Sequence, residues 1–238
     1  MGVVNISPEF QRIFEQLRWL DRRRKRIVDS VSSHFSKETV QSILAKDGLR
    51  ELPVPLDIEL NQLIDERDPD IFLRDLANEV EAFEGRTINA LRKHTSVYQS
   101  HVDEQIHFGA RNAGQDAGRQ FLASYQRYDK KESHLEPVEA VQAVFVLTYN
   151  GFPNEKNYFL SLRSHGGSTV HFQKSPHLKN WQNIGGDPKF LHQVKIEWMK
   201  GILDILAPNL KFTYTQSIEA GSKFGLLQFY APEIHANP

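Results

Sequence analysis

The chain contains no cysteine. Disulfides, thiolate nucleophiles, cysteine-ligated zinc and iron–sulfur clusters are therefore excluded. A chain without disulfides suits the cytoplasm, and a cytoplasmic location is expected. An excess of charge of one sign is also missing. The 29 Lys and Arg residues are matched by 30 Asp and Glu residues, for a net charge of −1. No global field steers such a chain to nucleic acid or anionic lipid, and neither is expected as a partner. No apolar run approaches the ~20 residues needed to span a bilayer. Met1-Gly-Val-Val-Asn5 lacks the basic and apolar regions of a secretory signal, and Gly2 with Ser7 is one residue out of step with the myristoylation pattern. There is no glycine-rich phosphate loop, no Gly-x-Ser-x-Gly elbow and no internal repeat.

What remains is a chain of 238 residues, 39% hydrophobic and 25% charged, enough to bury one sizeable core. Two parts are expected, a helical extension over residues 1–68 and an α+β domain over 69–238. Phe10, Ile13, Phe14, Leu17, Leu20, Ile27, Val28, Val31 and Phe35 recur at helical spacing, which predicts one long amphipathic helix from Pro8 to Phe35. Lys37 to Lys46 makes a second helix, stopped by Asp47-Gly48. Leu52-Pro-Val-Pro-Leu56 is an extended connector, because each proline disfavours helix in the residue before it. Asp57 to Asp65 suits a short helix. Asp68-Pro69 is a cap-plus-proline start for a seam through Leu73, Leu76, Val80, Phe83, Ile88 and Leu91. A kink or break is expected between Gly85 and Thr95. Val97 to Tyr128 is a further helix, and the polar stretch from Tyr128 to Pro137 a loop.

Strands are expected after that loop. Ala140 to Tyr149 is β-branched and aromatic and predicts a strand. A turn at Asn150-Gly151, a return strand from Tyr158 to Arg163, a loop at His165-Gly-Gly-Ser168 and a third strand from Thr169 to Gln173 follow. Asp187 and Pro188 open a last helix whose buried stripe is Phe190, Leu191, Val194, Trp198, Ile202 and Leu206, ended by Ala207-Pro208-Asn209. Leu210, Phe212 and Tyr214 alternate with polar residues, Gly221-Ser222 turns the chain, and Phe224 to Tyr230 returns as a strand. The fold class is α+β. A helix-rich N-terminal half packs on an antiparallel sheet of about four to five strands, with a C-terminal helix and then a hairpin.

Several residue groups carry potential chemistry. Gly109, Ala113, Gly114, Ala117 and Gly118 form a helical ridge without bulk, which suits close helix packing or the wall of a ligand site. His101, Glu104 and His107 share one helix, and Glu104-x-x-His107 has di-iron spacing, but no second copy of the pair is present. Arg22 to Arg26 is a basic run whose helical spacing spreads it over most of the circumference, so a solvated face competes with binding to anionic lipid or RNA. His165, His171 and His177 are separated by six and six, which is not a known zinc spacing.

The Gly114-Gln-Asp-Ala-Gly118-Arg119 helix, the Trp198-Met-Lys-Gly-Ile-Leu-Asp-Ile-Leu206 run, Ser217-Ile-Glu-Ala-Gly221 and Phe229 together resemble the vinyl-reductase-type small-ligand-binding domain family. Its relatives include bacterial sensor inputs, haem–nitric-oxide-binding domains and transport-particle subunits of Golgi tethering. The resemblance covers residues 95–230. Ser217 stands where many members have cysteine, and the hairpin's second cysteine is absent, so no metal or thiol role carries over. Phe159-Leu-Ser161-Leu-Arg163 has phenylalanine in place of the tyrosine of a haem-binding signature, and no cofactor is expected. The resemblance implies a non-enzymatic, sensor-like signalling module, a homodimer that buries a small apolar ligand between helices and sheet. The expected ligand-binding residues are Phe108, Gly114, Gly118, Phe121, Arg163, Trp198, Ile202, Phe212 and Tyr214, with Arg163 and Arg119 placed to anchor an acidic headgroup. Two alternatives remain open. One is a structural or interaction dimer with a filled core, joined through its first helix. The other is a metal-dependent enzyme using the His and Glu clusters.

Overall fold

The first helix, α1 (Pro8–Phe35), starts where the Ser7 side chain accepts the Phe10 N–H and Pro8 fills the first turn, the cap and proline placement a helix start favours. The computed structural model describes residues 6–64, 67–95, 98–125, 134–155, 157–163 and 167–232. Ser36, at φ 68°, ends α1 and caps α2 (Lys37–Lys46) through its hydroxyl. The short α3 (Leu60–Ile64) leads to α4 (Pro69–His94), capped by Asp68, which accepts the Asp70 and Ile71 N–H groups. Next comes α5 (Gln99–Tyr125). The expected polar loop from Tyr128 lies outside the described residues as far as Ser133, and so do His165 and Gly166 of the second expected loop.

Two expectations about backbone are corrected. Of the kink or break expected between Gly85 and Thr95, the break is absent, since α4 runs to His94 with Thr95 as its cap. Gly85 serves packing instead, because a Cβ there would sit 2.2 Å from the Ile184 Cδ1. Ala140 to Tyr149 is not a strand but most of helix α6 (Pro137–Leu147) and its exit. Glu136 and Glu139 form a reciprocal capping box around Pro137, which fixes the helical start. The segment is then buried on several sides, as Ala140, Val141, Val144, Phe145 and Leu147 show, and that continuous apolarity masks the helical period.

The sheet has four antiparallel strands, β1 (Tyr158–Ser161), β2 (Thr169–Phe172), β3 (Lys211–Gln216) and β4 (Gly225–Tyr230), in the order β1-β2-β4-β3. Between β2 and β3 lie α7 (Leu178–Asn183), which the sequence did not suggest, and α8 (Pro188–Leu206), capped by Asp187. Tyr214 pairs with Leu227 in the β3–β4 hairpin, and a bulge follows at Gln216. The architecture is the expected one, a helix-rich N-terminal region packed with a four-stranded antiparallel sheet and a C-terminal helix followed by a hairpin.

One large core cluster joins the start of the chain to its end, with Ile13, Phe14 and Leu17 of α1 in the same group as Trp198, Ile202, Leu227 and Phe229. A second cluster lies where Ile27 and Val31 of α1 meet Phe83, Leu91, Val102, Ile106 and Val194. The central helix is α5, held between α1 and α8 by its glycines. A Cβ on Gly109 would lie 2.7 Å from the Ile27 Cα, and one on Gly114 would lie 2.1 Å from the Trp198 carbonyl oxygen. Gly201 answers from α8, where a Cβ would lie 2.0 Å from the Arg111 carbonyl oxygen. Among the described residues, no helix is long and apolar enough to cross a membrane.

Candidate functional site

Polar residues inside an otherwise apolar helical stripe are costly unless they are paired. In α8, Lys195 sits between Leu191 and Trp198 on the buried face, with His192 one turn before it. In α4, Glu81 follows the buried Val80. The fold brings these residues together beneath the sheet. The His177 side chain, at the start of α7, engages the Glu81 carboxylate through Nδ1. Its Nε2 lies 2.8 Å from the Lys195 ammonium, which also donates to Asn150 Oδ1 at 2.8 Å. The arrangement fits one proton layout, in which Nδ1–H donates to Glu81 and Nε2 accepts from Lys195. Asn180 supplies a further donor to Glu81 at 3.3 Å. The Trp181 ring stacks on His177 at 5.0 Å, and Tyr149 meets it edge-on at 5.9 Å.

Burial sets the protonation of this group. It pushes the His177 imidazole below its usual pKa, and the nearby Lys195 charge acts the same way. Burial also lowers the Lys195 ammonium to about 8, against the attraction of Glu219 and Glu81. His192 is lowered to about 4, by burial first. Burial opposes ionisation of Glu219, but the His192 charge and the Ser175 and Ser217 hydroxyls more than offset it, leaving the carboxyl at about 2. Ser217 Oγ donates to Glu219 at 2.8 Å. At neutral pH the cluster therefore holds a neutral His192 beside an ionised Glu219.

His192 is the unsatisfied member. It is 8% exposed, and among the described residues neither of its ring nitrogens has a hydrogen-bond partner. Nδ1 is 3.5 Å from Glu219 Oε2, long for a hydrogen bond, and with the imidazole neutral the contact is not an ion pair. The ring meets Tyr214 edge-on at 4.6 Å. His192, Lys195, His177, Glu219, Ser175 and Tyr214 line a cavity of ≈ 10 Å³ between α8 and the sheet, and Phe172, Pro176, Ile218 and Gly225 complete its wall. That volume takes the centre of about one water-sized group.

A larger groove of ≈ 770 Å³ runs between α1, α6 and β1. Three of its amide side chains are already engaged. Gln16 donates to the Phe145 and Val146 carbonyls, Asn150 to the Thr148 carbonyl and hydroxyl, and Asn157 to Glu155. Only the α8 cavity combines a buried, unpartnered polar side chain with charged neighbours among these two sites.

Of the nine residues expected to bind a ligand, Tyr214 lines this cavity. Gly114 and Gly118 are filled by α8, the latter against the Ile202 carbonyl and Ile205. Trp198 and Ile202 lie in the solid core, Trp198 under the Arg23 guanidinium at 4.5 Å. Phe108 is 57% exposed, and Arg163 is also exposed, its backbone N–H donating to Ser168. Phe121 is half-buried and stacked on Tyr125, and Phe212 packs on Phe229. Arg119 pairs with Asp116. The fold does not gather these residues into one site.

The other constellations resolve into ordinary contacts. His101 and Glu104 face each other at 3.7 Å while largely exposed, and His107 packs on Phe190, its buried Nε2 without a hydrogen-bond partner among the described residues. His171 is exposed on β2, His177 is committed to Glu81, and His165 lies outside the described residues. Among the described residues, no group of three or more acidic or histidine side chains is placed to hold a metal ion. The basic run is divided, with Arg23 and Arg24 buried and Arg22, Lys25 and Arg26 exposed. Arg22 contacts Gln120, and Arg23 pairs with Glu84, Arg24 and Lys25 with Asp21, and Arg26 with Asp116. No family model, curated protein or solved structure matches the chain.

Proposed function

We propose that the protein is a non-enzymatic binding module for a compact amphipathic ligand. The polar end of the ligand, one water-sized group, enters the cavity between α8 and the sheet, and the rest of the ligand lies outside it. The observation that carries this reading is His192, a buried imidazole with both nitrogens unpartnered at the wall of a cavity. An unmet buried polar group costs about 1–3 kcal/mol, and a ligand that satisfies it recovers that cost on binding. The resemblance of residues 95–230 to small-ligand-binding domains points the same way, although the floor is more polar than that resemblance implies.

Native mass spectrometry of the purified protein, beside its denatured mass, tests the reading. The expected result is a small non-covalent mass, lost on denaturation and absent from His192→Phe. A bare chain mass, together with no thermal stabilisation by any member of a panel of small amphipathic compounds, would refute it.

A further inference from the structure

The sheet ends in two edges, β1 and β3. An edge strand carries a row of unpaired N–H and C=O groups, which proteins usually blunt with charge, a bulge or a cover. β3 has two of these devices, Lys211 at its start and the bulge at Gln216. β1 reads Tyr-Phe-Leu-Ser, without charge or bulge. The ladder fixes which of its backbone groups are free. The Gln173 N–H donates to the Asn157 carbonyl at 2.8 Å, so Phe159 and Ser161, two and four residues further on, also turn their backbone groups toward β2. Tyr158 and Leu160 therefore point theirs outward. Among the described residues, neither the N–H nor the C=O of either one has a partner.

Beside this edge lies the groove of ≈ 770 Å³. Side chains alternate across a strand, yet Tyr158, Phe159 and Leu160 all line the groove. It therefore runs along the backbone edge rather than over one face of the sheet. Phe145 and Val146 of α6 form its far wall, and Val146 is 42% exposed. Phe159, on the near wall, is 55% exposed. Two donors and two acceptors in line at strand spacing, with apolar side chains alongside, fit an extended polypeptide and no compact molecule.

Charge selects the polypeptide. Among the described residues lining the groove, Arg12 is the only charged one, and Arg163 lies two residues past the end of β1. Both are exposed, and among the described residues neither has an ion-pair partner. A second copy of the chain would bring the same two cations and, at the start of its own β1, a Glu155 already paired with Arg74. An acidic segment neutralises both cations. We infer that β1 is the docking edge for an extended, acidic segment of another protein, which adds a fifth strand to the sheet and lays alternate apolar side chains against α6.

The test uses the peptide acetyl-Glu-Val-Thr-Val-Thr-Val-Glu-amide, whose side-chain pattern is the same in either strand direction. It is titrated into the full ¹⁵N-labelled chain at pH 7, with the Tyr158 and Leu160 amide signals followed by NMR. Both signals are expected to shift saturably. The peptide should bind about ten-fold tighter than its counterpart with lysine at both ends, because two exposed attractions become repulsions. Arg12→Glu combined with Arg163→Glu should invert that preference. An added strand turns only one of its edges to β1. N-methylation of the Val nitrogens and N-methylation of the Thr nitrogens should therefore differ, one set abolishing binding and the other leaving it nearly unchanged. Equal loss from both sets, or no shift at Tyr158 and Leu160, overturns the docking edge. Equal affinity for the acidic and basic peptides overturns the acidic partner. A dimer in sedimentation that protects these two amides without any peptide assigns the edge to a second copy and overturns the proposal as well.

Discussion

The Arg23–Glu84 pair shows what a buried charge requires at the scale of single residues. Both side chains are nearly inaccessible, and they form two hydrogen bonds at 2.7 and 2.5 Å across the α1–α4 contact. Removing one partner strands the other, so Arg23→Ala or Glu84→Ala alone should cost about 3–5 kcal/mol. The double replacement Arg23→Met with Glu84→Leu should cost far less, and urea unfolding of the three variants measures the difference. The Lys195 cluster makes a second prediction, through pH. Lys195 is lowered from 10.5 to about 8 on folding, so between those values the unfolded chain binds more protons and stability rises with pH. The rise ends near pH 10, where Tyr149 and Tyr214, both pushed up by burial, ionise only in the unfolded chain and reverse the slope. His192, lowered from 6.5 to about 4, makes stability fall as pH drops through that window, and Glu219, lowered from 4.5 to about 2, continues the fall below it. Denaturant midpoints measured from pH 4 to 10 should trace both slopes. Lys195→Met should abolish the alkaline rise and leave the acid fall. The sequence reading singled out none of these residues, although Glu81 in α4 and His192 and Lys195 in α8 interrupt the apolar stripes it did describe. What was not visible was that stripes more than a hundred residues apart would turn those interruptions toward each other.

At the scale of elements, legibility followed whether an element announces its own ends. Ser7-Pro8, Asp68-Pro69 and Asp187-Pro188 each place a side-chain cap before a proline, and the three helices start there. The β3–β4 hairpin was legible because alternation needs only one buried face. Misreading α6 as a strand has a physical reason in its composition: apart from Gln142 the run from Ala140 to Leu147 is apolar, the exposed Val146 included, so no polar face distinguishes a period of 3.6 from a period of 2. The reciprocal Glu136–Glu139 caps around Pro137 were the signal that settles it. Loss of one cap interaction costs about 0.5–2 kcal/mol, so Glu139→Ala should destabilise by that order while leaving helix content by circular dichroism almost unchanged. The glycine ridge of α5 was legible as a place of close approach, but not for what approaches. The answer is two helix backbones, α1 at Gly109 and α8 at Gly114. A methyl group at Gly201 meets the Arg111 carbonyl at 2.0 Å with only backbone to move. Gly201→Ala should therefore cost about 1–3 kcal/mol or more by overpacking and lower the melting temperature by roughly 2–4 °C per kcal/mol. A surface glycine makes the control. Gly48, with open space around it but φ of 67°, should suffer only the smaller backbone strain of its left-handed conformation.

At the scale of the whole molecule, the place of α1 decides how the chain divides. As a sequence, a long amphipathic helix ahead of an α+β segment suggests an extension free to pair with another copy. In the folded chain the stripe of that helix is covered from within. Ile13, Phe14 and Leu17 share a core with the C-terminal sheet and helix, and Ile27 and Val31 share one with α4 and α5. The site depends on the same frame. Gln16 of α1 fastens the end of α6 through the Phe145 and Val146 carbonyls, and α6 leads into Asn150, the acceptor that holds Lys195. Burying Ile13, Phe14, Leu17, Trp19, Leu20, Ile27, Val28 and Val31 contributes on the order of 12–24 kcal/mol, before the entropy of ordering the helix, at 1.5–3 kcal/mol for each large apolar side chain, and removing α1 also exposes the apolar faces it packs against. A chain lacking residues 1–35 should therefore fail to fold on its own. It is expected to show a broad, non-cooperative thermal transition, to bind a hydrophobic dye and to lose the His192 ring signals of the native protein. Adding the 1–35 peptide in trans should restore a cooperative transition, because the groove it leaves is lined by the faces of α4, α5 and α6 that it normally covers. If instead the truncated chain melts cooperatively and keeps its native spectrum, α1 is an accessory after all, and residues 69–238 carry their own core.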